Sequence, residues 1–314
     1  MSDAVILGIN NEHGVRLVSV LGAMGEVYGL ASYRGTAGAN VLLGLLAGEI
    51  DPASDEIAFR QDACLVDFVP RAELRVEDHA LLAQLKLPPP PGSPKRFPEF
   101  QSHKPGYLPW FVDATEARQL LDDLRKALGF AQLVRDNPGI LVGRQENEFA
   151  FLPQTVTEPL TVNQLEWYTL VPAPPPSEPS SAIGAFELAG LRALPRSASP
   201  AWELSAFYSP MPIHAPPRPY FCKMALALEA PGGAVLAYQL TPPEQSLNQT
   251  AVQVLIKAMK NTGCRPKSVN LDSATLLAGL RPLAEDLDLK LRRVKSLPLT
   301  RAARDDFEKF GAEA

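Results

Sequence analysis

Proline constrains this chain more than any other residue. Each ring fixes φ and removes a backbone donor, so helix and sheet interiors admit few of them. There are 31 prolines in 314 residues, about double the ~5% of ordinary usage. Eight fall from Pro88 to Pro109 and fourteen from Pro153 to Pro219, leaving nine for the rest. The two belts read as connectors, with 88–91 and 172–176 favouring extended polyproline II backbone. For 88–91 the functional alternative to a stiff spacer is a PxxP-type ligand. Hydrophobic residues at 46% and charged residues at 21% exclude a disordered chain. The length passes the ~250–300 residues at which single cores stop growing, so two domains are expected.

Between the belts the pattern is regular. The first 47 residues hold no proline and read as strands at 4–9, 15–21 and 27–34 and a helix at 39–47, with Asn- and Gly-rich turns. A strand at 64–69 and a helix-like stretch at 76–86 follow. A helix at 113–134 has a capping box in Asp113 and Glu116, and places Ala117, Leu120, Leu121, Leu124, Leu128 and Ala131 on one face. Short strand candidates at 140–143, 148–151 and 167–171 sit among prolines. After 201 the order repeats. Strands at 203–208, 221–228 and 234–240 precede a helix capped by Ser246 and ended at Gly263, then a strand at 268–271, a leucine-rich helix capped by Ser273, a strand at 290–294 and a helix at 300–310. Pro282 is expected to kink or split the leucine-rich helix.

Each half thus reads as three strands, helix, strand, helix, strand, helix, an internal duplication with little surviving identity. Such alternation implies mixed sheets covered by helices. The expected architecture is α/β with two domains: 1–140, a proline-rich connecting region with short strands at 141–200, and 201–314.

Charge is divided unevenly. Residues 201–314 hold 14 Lys/Arg against 11 Asp/Glu, and the first 200 hold 16 against 24. Lys290, Arg292, Arg293, Lys295, Arg301 and Arg304 form a basic cluster suited to phosphates, with Arg292, Arg293, Arg301 and Arg304 as the nucleic-acid candidates. A solvated face is the alternative, because a nucleic-acid module is usually far more basic. Three scattered cysteines argue against disulfides or a clustered zinc site. No apolar run reaches the ~20 residues of a membrane span, and the start lacks a signal peptide's basic and apolar regions. A cytoplasmic protein, with no membrane partner, is the expectation.

Two resemblances follow from particular residues. The stretch Lys104-Pro-Gly-Tyr107-Leu-Pro-Trp110-Phe111, with Arg218-Pro-Tyr220, Val269-Asn-Leu-Asp272 and Leu291-Arg-Arg-Val294, resembles a bacterial two-domain family of unknown function. That resemblance implies a fold and no mechanism. The element order of the C-terminal half is similar to the ribonuclease H-like fold of integrases and transposases, in degenerate form. Their chemistry implies carboxylates on the first strand, after the fourth, and on a late helix, holding two metal ions. Asp272 matches the second position; the alternative is a helix N-terminal acid beside Ser273 that satisfies unbonded N–H groups. The first strand offers Ser205 or Ala206 in place of an aspartate, and Asp305, Asp306 and Glu308 lie on the late helix. In the N-terminal half, Gly8 or Asn10 and Asp67 stand at the corresponding places.

Other chemistry is missing from the sequence. There is no HExxH, CxxC, GxSxG, GxGxxG or Walker motif, and the four histidines are scattered. The glycines of 35–38 precede a helix and suit either an anion cradle or an ordinary strand-to-helix turn. Aromatic and arginine residues in the belts, Tyr107, Trp110, Arg218 and Tyr220, suit a binding surface or the pinning of irregular loops. No catalytic residue, metal site or cofactor is expected. The functional expectation is a non-catalytic intracellular binding or scaffold protein for an unknown protein, peptide or small molecule. The alternative is a metal-dependent nuclease or nucleic-acid binder of ribonuclease H-like type.

Overall fold

The computed structural model describes residues 5–11, 14–22, 28–54, 56–86, 96–142, 144–145, 147–153, 159–173 and 183–312. The proline runs 88–91 and 174–176 lie outside them. The chain divides into two compact units, Met1–Pro175 and Pro176–Ala314. Each is α/β and built on one mixed sheet.

Unit 1 opens with a three-stranded antiparallel meander, β1 (Val5–Asn11), β2 (Gly14–Leu21) and β3 (Gly29–Arg34). Helix α1 (Gly35–Leu46) follows, then α2 (Glu56–Arg60), β4 (Ala63–Pro70), α3 (Val76–Leu85) and β5 (Arg96–His103). Helix α4 (Ala114–Asp136) leads to β6 (Glu148–Leu152) and β7 (Glu166–Thr169). The seven strands are ordered β5-β4-β3-β2-β1-β6-β7, with only β1 and β6 parallel. Strands β6 and β7, from the proline-rich middle, complete this sheet.

Three features of this unit depart from the sequence reading. The first proline belt holds a strand: β5 carries Pro98 and lies at the sheet edge, where one face of the backbone needs no partner. The strand after α1, β4, joins the free edge of β3 in antiparallel fashion, not the side of β1. Asp67 therefore does not occupy a position equivalent to that of Asp272. The segment 138–141 is a 3-10 helix, not a strand.

Helices cover both faces of the sheet. Leu17, Ala31 and Tyr33 pack under Val41 and Leu42 of α1. There, a Cβ on Gly38 would lie 2.5 Å from the Asp62 carbonyl, so the glycine permits close helix–sheet contact. Close packing, not an anion cradle, accounts for Gly38. On the other face α4 is capped by the reciprocal Asp113–Glu116 box. Its buried stripe is Glu116, Leu120, Asp123, Ala127, Phe130 and Leu133, rotated from the expected leucine face. Leu121 is 48% and Leu128 62% exposed. Counting apolar residues misplaces the face because two carboxylates point inward to arginines.

Unit 2 begins with α5 (Ala185–Ala193), then the meander β8 (Ala201–Ile213), β9 (Tyr220–Ala230) and β10 (Val235–Thr241). Strand β8 runs through Pro210 and Pro212 with an irregularity in its pairing after Tyr208, so the second belt is also partly strand. Then come α6 (Leu247–Thr262), β11 (Ser268–Leu271), α7 (Ala274–Leu287), β12 (Lys290–Arg293) and α8 (Pro298–Ala312). The order is β10-β9-β8-β11-β12, with β8, β11 and β12 mutually parallel.

Caps and periodicity build this unit as its spacing predicts. Ser246 and Ser273 accept the N–H groups of Gln249 and Leu276, and Gly263 adopts the left-handed C-cap. Ala251, Leu255 and Met259 of α6 and Leu276, Leu280 and Leu283 of α7 pack on Trp202, Leu204, Val269 and Leu271. Helix α7 runs unbroken through Pro282. The ring lies on the exposed side, where solvent can bond the carbonyl it strips of a partner. Strand alternation sends Glu203, Ser205 and Phe207 to the opposite face, under α8. The units share a meander plus a parallel strand beside its first member. Unit 1 adds β4 and β5, and its last strand β7 is antiparallel to β6.

Candidate functional site

The parallel strands of unit 2 end beside one another. Asp272 directly follows β11, and Lys295 lies two residues beyond β12. With Ser296, Leu297, Thr300, Arg301, Arg304 and Asp305 they line a cleft of about 290 Å³. Asp272, Arg301 and Arg304, picked from separate parts of the sequence for different reasons, thus share one site. Among the described residues, none of the charges on Asp272, Lys295, Arg301, Arg304 and Asp305 forms an ion pair. The Arg304 guanidinium instead stacks 4.4 Å from the centre of the Phe207 ring.

The floor beneath contains a residue that sequence reasoning missed. Glu203 on β8 is 4% exposed, and its Oε2 accepts from the Thr300 N–H at 3.0 Å and the Thr300 hydroxyl at 3.2 Å. This carboxylate caps α8 from another element and satisfies an N–H that a helix start leaves unbonded. The available signal was a lone glutamate inside the apolar strand that begins Ala201-Trp202. Beside it across the ladder stands Asn270, whose buried Oδ1 meets no donor among the described residues. Carboxylate chemistry on this strand resides at Glu203, not at positions 205 or 206.

The four candidate arginines do not share a face. Arg292 and Arg293 are adjacent on β12, so their side chains leave opposite sides of the sheet. Leu291 packs into the α6–α7 core, placing Arg293 on that side and Arg292 on the side of α8. Among the described residues no three His, Cys, Asp or Glu side chains are grouped to hold a metal ion.

The belt residues sit in pinned loops. Trp110 exchanges backbone bonds with Ser102 at 2.7 and 3.0 Å, and the Tyr107 N–H bonds the Lys104 carbonyl. Trp110 packs edge-on to Phe111, over which Arg75 stacks at 4.4 Å. Arg218 is buried at 9% exposure, while Tyr220 opens β9 opposite Ile213. Tyr107, Trp110 and Tyr220 are half-buried.

Unit 1 holds the densest polar cluster. Arg16, 3% exposed, bonds both oxygens of Asp123, which also accepts from the Ser32 hydroxyl at 2.6 Å. Arg34 reaches Asp62 at 2.7 Å, Glu116 at 2.6 Å, the Cys64 sulfur at 3.2 Å and the His103 carbonyl at 2.8 Å. Burial pushes the Glu116 carboxyl upward, but bonds from the Asp113 N–H, Arg34 and Ser102 prevail and hold its pKa at about 2. Burial pushes the Cys64 thiol up to about 11 despite Arg34. A buried thiol raised this way lacks the lowered pKa of reactive cysteines and packs as a small apolar side chain.

The fold and the cleft define a two-domain α/β protein. Residues 1–151 match the family model described as Domain of unknown function (DUF7309), and residues 187–308 match Domain of unknown function (DUF6930). The chain therefore carries two successive regions, each similar to a domain family of unknown function. No curated protein and no solved structure matches it. No helix among the described residues is long and apolar enough to cross a membrane.

Proposed function

We propose that this is a non-catalytic binding protein of the cytoplasm whose ligand is recognised in the cleft at the ends of β11 and β12. The observation that carries the reading is the set of five charged side chains lining one concavity, none of them ion-paired among the described residues. A cleft with a few convergent polar groups is the usual form of a ligand site. Its place past the carboxyl ends of parallel strands is where open α/β sheets bind ligands. The free thiols of Cys64, Cys222 and Cys264 suit a reducing compartment.

A second reading is a metal-dependent nuclease or nucleic-acid binder. The unit 2 strand order and its parallel β8–β11 pair favour a ribonuclease H-like fold, with Asp272 and Asp305 beside the cleft and Arg292, Arg301 and Arg304 on the α8 side. Fold alone does not supply the activity. The described carboxylates do not form the cluster that a metal ion needs, so no metal-dependent step is derived for them.

The test is incubation of the full chain with labelled single- and double-stranded oligonucleotides, with and without Mg²⁺ or Mn²⁺. The expected result is no cleavage. Metal-dependent cleavage that Asp272→Asn abolishes overturns the binding-protein reading.

A further inference from the structure

We infer that the β11–β12 cleft binds a phosphate-bearing small molecule, holding the phosphoryl group between Lys295 and Arg301 and a hydroxyl or amino group of the same molecule on Asp272. This rests on the binding-protein reading and names the ligand class of that site.

The cleft supplies more positive donors than its own residues use. A guanidinium carries five N–H donors and an ammonium three. Arg301 and Lys295 find no carboxylate among the described residues, although Asp272 and Asp305 line the same cleft. A carboxylate ligand is satisfied by one bidentate guanidinium, whereas the three terminal oxygens of a phosphate monoester engage two cations at once. Asp272, exposed on the same cleft, offers an acceptor. A ligand with phosphate at one end and a hydroxyl or amino group elsewhere matches both features.

The helix terminus does not carry the assignment. The Thr300 N–H is already bonded to Glu203, so the anion is held by side chains. The cation–π contact of Arg304 with Phe207 fixes the cleft wall next to Arg301. The volume of about 290 Å³ lies at the lower end of the ~300–1,000 Å³ range of small-molecule sites. That size fits a phosphorylated metabolite. A second concavity, lined by Ile183, Glu187, Val252, Ile256, Lys257 and Lys260, has Lys260 paired with Glu187 at 2.6 Å and Lys257 bonded to the Tyr238 carbonyl at 3.4 Å.

Isothermal titration calorimetry on the full chain tests this with AMP, adenosine, inorganic phosphate and a single-stranded oligonucleotide as probes. The expected result is binding of AMP, displacement of AMP by inorganic phosphate, and no heat from adenosine. Arg301→Ala and Lys295→Ala each weaken AMP about tenfold or more, while Asp272→Asn weakens AMP and leaves inorganic phosphate unchanged. Unchanged circular dichroism and thermal unfolding of the variants exclude a folding defect. Absence of AMP and phosphate binding, or AMP binding indifferent to Arg301→Ala and Lys295→Ala, overturns the inference while leaving the broader binding reading intact. An oligonucleotide that displaces AMP at lower concentration than inorganic phosphate overturns the small-molecule assignment. Metal-dependent oligonucleotide cleavage in the companion assay strikes the broader reading instead.

Discussion

Arg16 of unit 1 and Arg301 of unit 2 carry the same group in opposite circumstances. Arg16 is 3% exposed and bonds both oxygens of Asp123, which Ser32 also bonds. Arg301 is exposed on the wall of a cleft, next to other charges with which it forms no pair. A charge taken out of water must be matched inside the fold, because an unmatched one costs several kcal/mol. A charge beside water carries no such obligation. The polar density of unit 1 therefore follows from building a core around α4, and the looser cluster of unit 2 is the one left with unused bonding capacity. Charge density alone would select the cluster whose bonds are already made.

Breaking the paired side gives the largest effect. Asp123→Ala strips the buried Arg16 guanidinium of the carboxylate that bonds it through both oxygens, and unit 1 is expected to lose about 3–5 kcal/mol in urea denaturation. A loss under about 1 kcal/mol would show that Arg16 escapes to solvent and that the pairing is incidental. Acid tests the second pair. A carboxyl whose pKa is lowered on folding stabilises the fold above its ordinary pKa and loses that contribution as pH falls through the folded value. For Glu116 the change runs from 4.5 to about 2, so unit 1 is expected to lose stability progressively between those pH values. Glu116→Gln should flatten that limb, and an acid limb that persists unchanged assigns it to other carboxylates.

The same physics decides how much was legible beforehand. Unit 2 is legible in the sequence from β8 onward because its helices are capped by Ser246 and Ser273 and its apolar residues recur at helical spacing, whereas α5 is hidden in the proline-rich middle. Unit 1 misled where polar groups went inside. Apolar spacing draws the α4 face through Leu121 and Leu128 because a pattern of apolar residues cannot represent Glu116 and Asp123 facing Arg34 and Arg16 across about 80 to 110 residues of sequence. Pro98 hid β5 because sequence does not reveal which strand is an edge. In the cleft, Asp272 was visible through its place after a short apolar strand, and Arg301 and Arg304 through charge clustering. Their convergence depended on the parallel β11–β12 pair, and Glu203 was lost among apolar neighbours.

A smaller effect separates the floor of the cleft from its wall. Glu203→Ala removes the acceptor for both the Thr300 N–H and its hydroxyl, and the expected loss is about 1–2 kcal/mol, the scale of a helix cap. It should appear as fraying of α8 in hydrogen exchange, with the α6–α7 core retaining its protection. If the whole unit opens together, α8 is as integral as the core and the floor is no separate device.

The wall itself gives the smallest expected change. Arg301→Ala and Lys295→Ala remove side chains that pair with nothing among the described residues, so each should alter stability by no more than about 0.5 kcal/mol, as exposed substitutions usually do. Differential scanning calorimetry of the two variants in phosphate-free buffer measures it. A midpoint well below that of the parent would mean that these cations hold the fold through longer-range fields, and the contrast with Arg16 would then be one of degree. An unchanged midpoint leaves Lys295 and Arg301 without a structural task, and a charge that the fold can lose freely is one that remains available to a ligand.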